Sequence, residues 1–151
     1  MADEQAARIE VTDEPDEGTR RFLLAGLLEH NRPYLGESSF RHLAVVARAG
    51  GARQLLGGLV GETSRGFLYV DLLWVAEAER GRGLGSRLLA AAEAEAAARG
   101  CRAAWLDTYD FQARPFYERH GYAAFGTLDG FPGGHRRFFM VKHFAPNTTG
   151  R

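Results

Sequence analysis

Chemistry in this chain concentrates in Arg80-Gly81-Arg82-Gly83-Leu84-Gly85-Ser86. Alternating glycines let backbone N–H groups approach a ligand where a Cβ would block them. The alanine-rich stretch that follows reads as a helix, whose first turn carries unpaired donors and the positive dipole end. With Arg80 and Arg82 in the loop, the combination is an anion site, most often one for phosphate. Two further places hold reactive groups. Tyr117 stands within Phe116-Tyr117-Glu118-Arg119-His120-Gly121-Tyr122, and Asp71 interrupts the apolar run Phe67 to Val75. Strict alternation puts Asp71 on the side of Tyr69 and Leu73, where a buried carboxylate is costly unless paired; it points to a polar cavity.

These groups need a scaffold, and the pattern supplies one. Arg8 to Thr12 reads as a first strand, and Asp13-Glu14-Pro15-Asp16-Glu17 announces a helix with a cap, an early proline and first-turn acids. Leu24, Leu27, Leu28 and Asn31 keep helical spacing, and Pro33 is expected to stop the helix. Phe40 to Ala49 and Gln54 to Glu62 read as a hairpin about Gly50-Gly51, with a bulge at Gly57-Gly58. Thr63 to Gly66 turns into the strand Phe67 to Val75. After the glycine loop, Leu84, Leu88, Ala92 and Ala96 mark one helix face, closed by Gly100. A strand over Ala103 to Thr108, a short helix over Gln112 to His120 stopped by Gly121, and strands over Tyr122 to Thr127 and Arg136 to Phe144 follow, with Asp129 to Gly134 as a loop. The order β-α-β-β-β-α-β-α-β-β describes a single mixed α/β domain over 1–151, with tails at about 1–6 and 145–151.

Composition narrows the function. A chain of 151 residues with zero net charge and 45% hydrophobic residues is one soluble domain, and nothing in it favours a polyanion as main partner. Cys101 is the only cysteine, so no internal disulfide forms and a cytoplasmic location is expected. No apolar run reaches the ~20 residues of a membrane span. Neither metal-ligand spacing of His and Cys nor an aromatic-basic stripe for nucleic acid is present. Asn147-Thr148-Thr149 matches a glycosylation acceptor that carries no meaning without secretion.

The loop lacks the Gly-Lys-Ser/Thr ending of a P-loop. As a dinucleotide fingerprint it would need a third glycine at Ser86 and a place after the first strand of a doubly wound sheet, although Asp107 lies at a tolerable distance for the ribose acid. A ligand-free glycine connection also stays open. With its neighbours the loop says more. Arg80-x-x-Gly83-x-Gly85 after Leu72-Leu73-Trp74-Val75, with Phe116 to Tyr122 downstream, resembles the GNAT (Gcn5-related) N-acetyltransferase family. Trp105-Leu106-Asp107-Thr108 through Tyr122 and Gly134-His135-Arg136-Arg137-Phe138-Phe139 resemble a group of small bacterial members. The resemblance implies a mostly antiparallel sheet flanked by helices and transfer of an acetyl group from acetyl-CoA to an amine, here expected to be a primary amine of a small molecule.

It also assigns roles. Backbone N–H groups of Gly81, Arg82, Gly83, Leu84, Gly85 and Ser86, with the charge of Arg80 or Arg82, would hold the pyrophosphate, and Phe116 belongs to the same acyl-CoA site. Backbone at Leu73, Trp74 and Val75 would face the thioester carbonyl. Tyr117 falls on the tyrosine that often acts as general acid, although packing alone would also explain it. Asp71, Glu62 and His135 are candidates for taking the amine proton; Asp71 could equally clamp a cationic acceptor or pair an arginine. His30, Asn31, Tyr69, Asp107, Tyr109 and His135 are expected around the acceptor. A module of the same fold that binds acyl-CoA without catalysis is the alternative. Related folds often dimerise through C-terminal strands, and Phe138-Phe139-Met140-Val141 suits such an edge or the core.

Overall fold

The computed structural model describes residues 7–51 and 53–146. The tails expected at about 1–6 and 145–151, apart from Ala145 and Pro146, lie outside the described residues, as does Asn147-Thr148-Thr149. The chain divides into two compact units, with the boundary between Ser38 and Ser39.

The first unit is one helix, α1 (Glu17–Leu35). Asp16 caps it as the acidic cluster predicts, accepting from Thr19 N–H at 2.8 Å and Thr19 Oγ1 at 2.7 Å. Those bonds favour the ionised carboxyl and hold Asp16 below its ordinary range. Pro33 does not stop the helix, which runs on to Leu35 and closes through Gly36 N–H to Arg32 O at 2.9 Å. A proline in the last turn forfeits one ladder bond where fraying already weakens the ladder. Arg8 to Thr12 is not a strand. Ile9 and Val11 alternate with charges, but they are 85% and 97% exposed, and alternation alone cannot make a strand without a paired neighbour.

The second unit is a six-stranded sheet in the order β1-β2-β3-β4-β6-β5. Its strands are β1 (Arg41–Arg48), β2 (Leu55–Ser64), β3 (Phe67–Val75), β4 (Ala103–Tyr109), β5 (Ala123–Phe131) and β6 (His135–His143). Every neighbouring pair is antiparallel except β3 and β4. The parallel pair needs a crossover, supplied by α2 (Leu84–Ala98). Leu88, Leu89, Ala92 and Ala96 form its buried face. With Leu59, Leu68, Leu106 and Met140 they make the core, where each buried leucine contributes about 2 kcal/mol.

Both helices of this unit end alike, as the glycines foretold. Cys101 N–H reaches Ala96 O and Gly100 N–H reaches Ala97 O after α2; Tyr122 N–H reaches Tyr117 O and Gly121 N–H reaches Glu118 O after α3 (Arg114–Arg119). Beneath α2, Lys142 pairs with Glu93 at 2.7 Å and packs beside the Tyr122 ring.

Two connections differ from their patterns, and one open choice is decided. The β1–β2 link runs wider than two residues: Ala49 N–H meets Gln54 O at 3.3 Å, and the register skips Leu56, so the bulge sits next to Gly57. Asp129 to Phe131 belong to β5, which leaves only Pro132 to Gly134 as a 3-10 turn. Phe138 to Val141 form the middle of β6, between β4 and β5, so this run is an inner strand and β5 is the edge.

Candidate active site

The site begins with a fault in the β2–β3 ladder. Val60 pairs with Leu72 and Gly61 with Val70, which leaves Asp71 as an extra residue in β3. Gly61 makes this possible, because a Cβ there would lie 2.3 Å from the Tyr69 carbonyl oxygen. The bulge resets the alternation. Leu73 opposite Leu59 now shares the core-facing side of Val70, while Tyr69 faces the other way. The expectation that Asp71 is a buried carboxylate on the side of Tyr69 and Leu73 is therefore overturned: Asp71 is exposed, and it forms no ion pair among the described residues.

Downstream of the bulge the sheet opens. Parallel pairing of β3 with β4 stops at Tyr69 opposite Trp105, so Val70 to Val75 have a strand neighbour only on the β2 side. Leu73, Trp74 and Val75 line the resulting cleft, a cavity of about 730 Å³. A 3-10 turn (Glu77–Glu79) leads out of it, and Gly83 caps α2 in the left-handed region with φ of 81°, without any side-chain cap. The first N–H groups of α2 therefore receive no side-chain cap from Gly83.

Arg80, Gly81, Gly83, Leu84, Gly85 and Ser86 all line this cleft. Of the two loop arginines, Arg80 borders it, with Nε donating to Val75 O at 3.0 Å. Arg82 does not border it; 72% exposed, it lies 4.0 Å from Glu79. The Ser86 hydroxyl is engaged with His120 Nε2 at 2.9 Å, which ties the start of α2 to the end of α3.

The opposite wall is α3. Phe116 and Tyr117 face the cleft, and Tyr117 is only 7% exposed. Burial, aided by the charge of Asp107, pushes its phenol up to about 12. Glu79, Phe111, Gln112 and Ala113 also line the cleft from outside the quoted motifs, and Arg119 lines it from within Phe116 to Tyr122. Phe111 and Gln112 carried a further signal, since they follow closely on the end of β4.

A second cavity, of about 480 Å³, is a recess walled by Tyr109, Phe111, Phe131, Pro132 and His135. Tyr109 and His135 are thereby brought together. His135 Nδ1 lies 2.8 Å from Asp110 Oδ1, and Asp110 Oδ2 accepts from Arg136 N–H at 3.1 Å. Desolvation opposes the charge on Asp110, but these bonds outweigh it and its carboxyl sits below the ordinary range. Asp107 is committed elsewhere: Arg137 Nε donates to it at 2.7 Å and Tyr69 Oη at 3.4 Å. The Asp107 bond raises the arginine, while burial and the charges of Asp107 and Asp71 raise the Tyr69 phenol. Asp107 does not cap α3; Ala113 holds that position. Tyr69 packs against Trp105 at 4.3 Å with the rings tilted by 32° and lines neither cavity, and Glu62 pairs opposite it. His30 and Asn31 lie on α1, in the first unit.

Residues 5–122 match the family described as the Acetyltransferase (GNAT) family. An acetyltransferase of Agrobacterium fabrum is 39% identical over 134 residues, which cover 89% of this chain and 97% of that one. The blasticidin-S acetyltransferase of Streptomyces morookaense is 47% identical over 90 residues, covering 59% of this chain and 66% of that one. The crystal structure of an acetyltransferase from Agrobacterium tumefaciens superposes with a TM-score of 0.83 at 38% identity, covering 91% of this chain and all of that one. The dinucleotide reading of the glycine loop, which needs a doubly wound sheet, falls with the mostly antiparallel order and with these matches. The chain belongs to the GNAT acetyltransferase family, as an acetyl-CoA-dependent acetyltransferase.

Proposed function

We propose that this protein moves the acetyl group of acetyl-CoA to a primary amine of a small molecule by direct attack in a ternary complex. The observation that carries the reading is one cleft bordered by the glycine loop, the unpaired side of β3 and Tyr117. A relative named for blasticidin S favours a small acceptor. A lone buried thiol, Cys101, is compatible with a reducing cytoplasm as the setting.

The cleft fits the donor by chemistry. Gly81 and Gly83 at positive φ, with open space where a Cβ would stand, present backbone N–H groups and Arg80 to a pyrophosphate. Backbone at Leu73 to Val75, without a β4 partner, supplies donors for a carbonyl oxygen. Bound acetyl-CoA supplies the activated thioester. Phe116 packs edge-on against Tyr117 at 5.1 Å and gives that side of the cleft an apolar wall. Asp71, exposed at the bulge and without an ion pair among the described residues, attracts a cationic amine.

Tyr117 holds its proton. A phenol at about 12 against a thiol near ~8.5 makes full transfer uphill by roughly 5 kcal/mol, so its task is to donate a hydrogen bond to the departing sulfur. Removing one such donor costs about 100-fold in turnover. Tyr117→Phe is therefore expected to cut kcat for thiol release about 100-fold while acetyl-CoA KM moves less than about threefold. Between pH 6 and 10 the phenol stays neutral, so the deficit is flat across that range. An unchanged kcat removes Tyr117 from the chemistry.

A further inference from the structure

Phe111 is 62% exposed, yet it borders both cavities. An aromatic ring left in solvent at the junction of two clefts is a wall for something that spans them. We propose that the recess beside it is a ring site for the acceptor: the amine carries a flat unsaturated ring, which seats among Tyr109, Phe111 and Phe131 while its amino group passes Phe111 into the acetyl-CoA cleft. This inference rests on the acetyl transfer proposed above.

The lining selects for that chemistry. Four of the five wall residues are rings and the fifth is Pro132. Tyr109 and Phe111 stack at 5.2 Å with planes 12° apart, and Phe131 meets Tyr109 edge-on at 5.0 Å. The recess thus offers both a face and an edge, the two arrangements an added aromatic ring prefers. His135 meets the Phe111 ring at 4.7 Å and is itself held by Asp110. Walls locked in this way lose little side-chain freedom when a ligand enters.

The neighbouring charges are already matched to one another. Asp110 is bonded to His135 and the Arg136 backbone, and Asp107 to Arg137. A polyhydroxylated or polycationic amine would leave its own polar groups stripped of water and unpaired against this surface. A flat ring has nothing to strand. About 480 Å³ accommodates one or two fused rings.

The test compares the matched pair 2-phenylethylamine and 2-cyclohexylethylamine with hexylamine, spermidine and glucosamine, by kcat/KM for thiol release from acetyl-CoA. The aryl amine is expected to exceed the cyclohexyl and hexyl amines about tenfold, and spermidine and glucosamine by more, a discrimination in the range a hydrophobic pocket can supply. Phe131→Ala is expected to erase the aryl preference through the amine KM. Phe131→Leu, which keeps apolar bulk, should lose the preference for the flat ring over cyclohexyl. In both variants the acetyl-CoA Kd, set in the other cavity, reports that the fold is intact. Equal kcat/KM for aryl and cyclohexyl amines overturns the ring site, as does a preference that survives both variants. If no amine releases thiol although acetyl-CoA binds, the transfer reading fails separately. Calorimetry of the same two amines on CoA-saturated protein then decides the ring site: tighter aryl binding supports it, and equal binding overturns it.

Discussion

The cleft takes most of its lining from residues 73–86, a single continuous segment, whereas the recess takes its walls from Tyr109 and Phe111 on one segment and Phe131, Pro132 and His135 on another. In the proposed reading the cleft would work largely through backbone: a bulge, strand amides without a β4 partner and a helix start capped by glycine. The recess would work through side chains held by ring contacts and one carboxylate. Backbone donors suit a partner whose phosphates and carbonyl are always the same. Side chains suit a partner that differs from enzyme to enzyme, because they can change without disturbing the ladder beneath.

If that division is right, the fold itself depends on the cleft and not on the recess. Gly61→Ala places a Cβ against the Tyr69 carbonyl, backbone on backbone, with no flexible group to yield. We expect a loss of about 3 kcal/mol, near the top of the range for overpacking, read by urea unfolding. Phe131, half-buried in the recess wall, should cost less than about 1.5 kcal/mol when cut to alanine. Equal costs would break the comparison.

Ionisation of the cleft wall gives the next effect. Tyr117 is pushed up to about 12 in the folded protein, against ~10 when unfolded, and Tyr122 shifts the same way through burial first and Glu93 second. The folded state therefore binds more protons above pH 10. The stability these phenols contribute is complete below pH ~10 and falls as pH climbs toward 12, by about 1.4 kcal/mol per unit for each tyrosine. Unfolding free energies at pH 8, 10 and 11 should show that decline, and Tyr117→Phe should remove part of its slope. A flat profile would mean that neither phenol is as desolvated as its packing implies.

The two regions also differ in how far they could be read from sequence. Gly83, Gly100 and Gly121 announce a loop and two helix ends through backbone conformations that only glycine adopts freely, and each stands where expected. Asp71 was misjudged because alternation assumes an unbroken ladder, and the bulge depends on Gly61, ten residues earlier on a different strand. Arg8 to Thr12 carried the right residues for a strand without a neighbour to pair with. Tyr109 and His135 were each identified singly. Their common recess needs the β4–β6 register, Tyr109 opposite Arg137, which no local pattern encodes. Asp110, which orients His135, gave no signal at all.

Within the cleft, a glycine series separates conformation from space. Gly83 has φ of 81° with nothing near its missing Cβ, whereas Gly85 has ordinary φ and would place a Cβ 3.5 Å from Phe116. A left-handed residue with a Cβ costs about 1–2 kcal/mol, and asparagine tolerates that region better than alanine. Gly83→Ala should weaken acetyl-CoA binding about tenfold, Gly83→Asn by less, and Gly85→Ala hardly at all. Should Gly85→Ala prove the more damaging, close approach and not backbone shape would govern the loop.

The smallest effect tests whether charge adds to what the backbone provides. Arg80 borders the cleft and is oriented by Val75 O at 3.0 Å, while Arg82 stands 72% exposed outside it. A guanidinium held beside a phosphate keeps most of its attraction in salt; one in open solvent is screened within about 8–10 Å at ordinary ionic strength. Arg80→Ala should raise the acetyl-CoA Kd about three- to tenfold, with most of the difference persisting at 0.5 M NaCl. Arg82→Ala should change it less than about twofold, vanishing in the same salt. The reverse order would make the outer arginine the phosphate partner and would require the loop to close around its ligand. In that case the cleft, like the recess, would owe its selectivity to side chains, and the contrast between the two cavities would weaken accordingly.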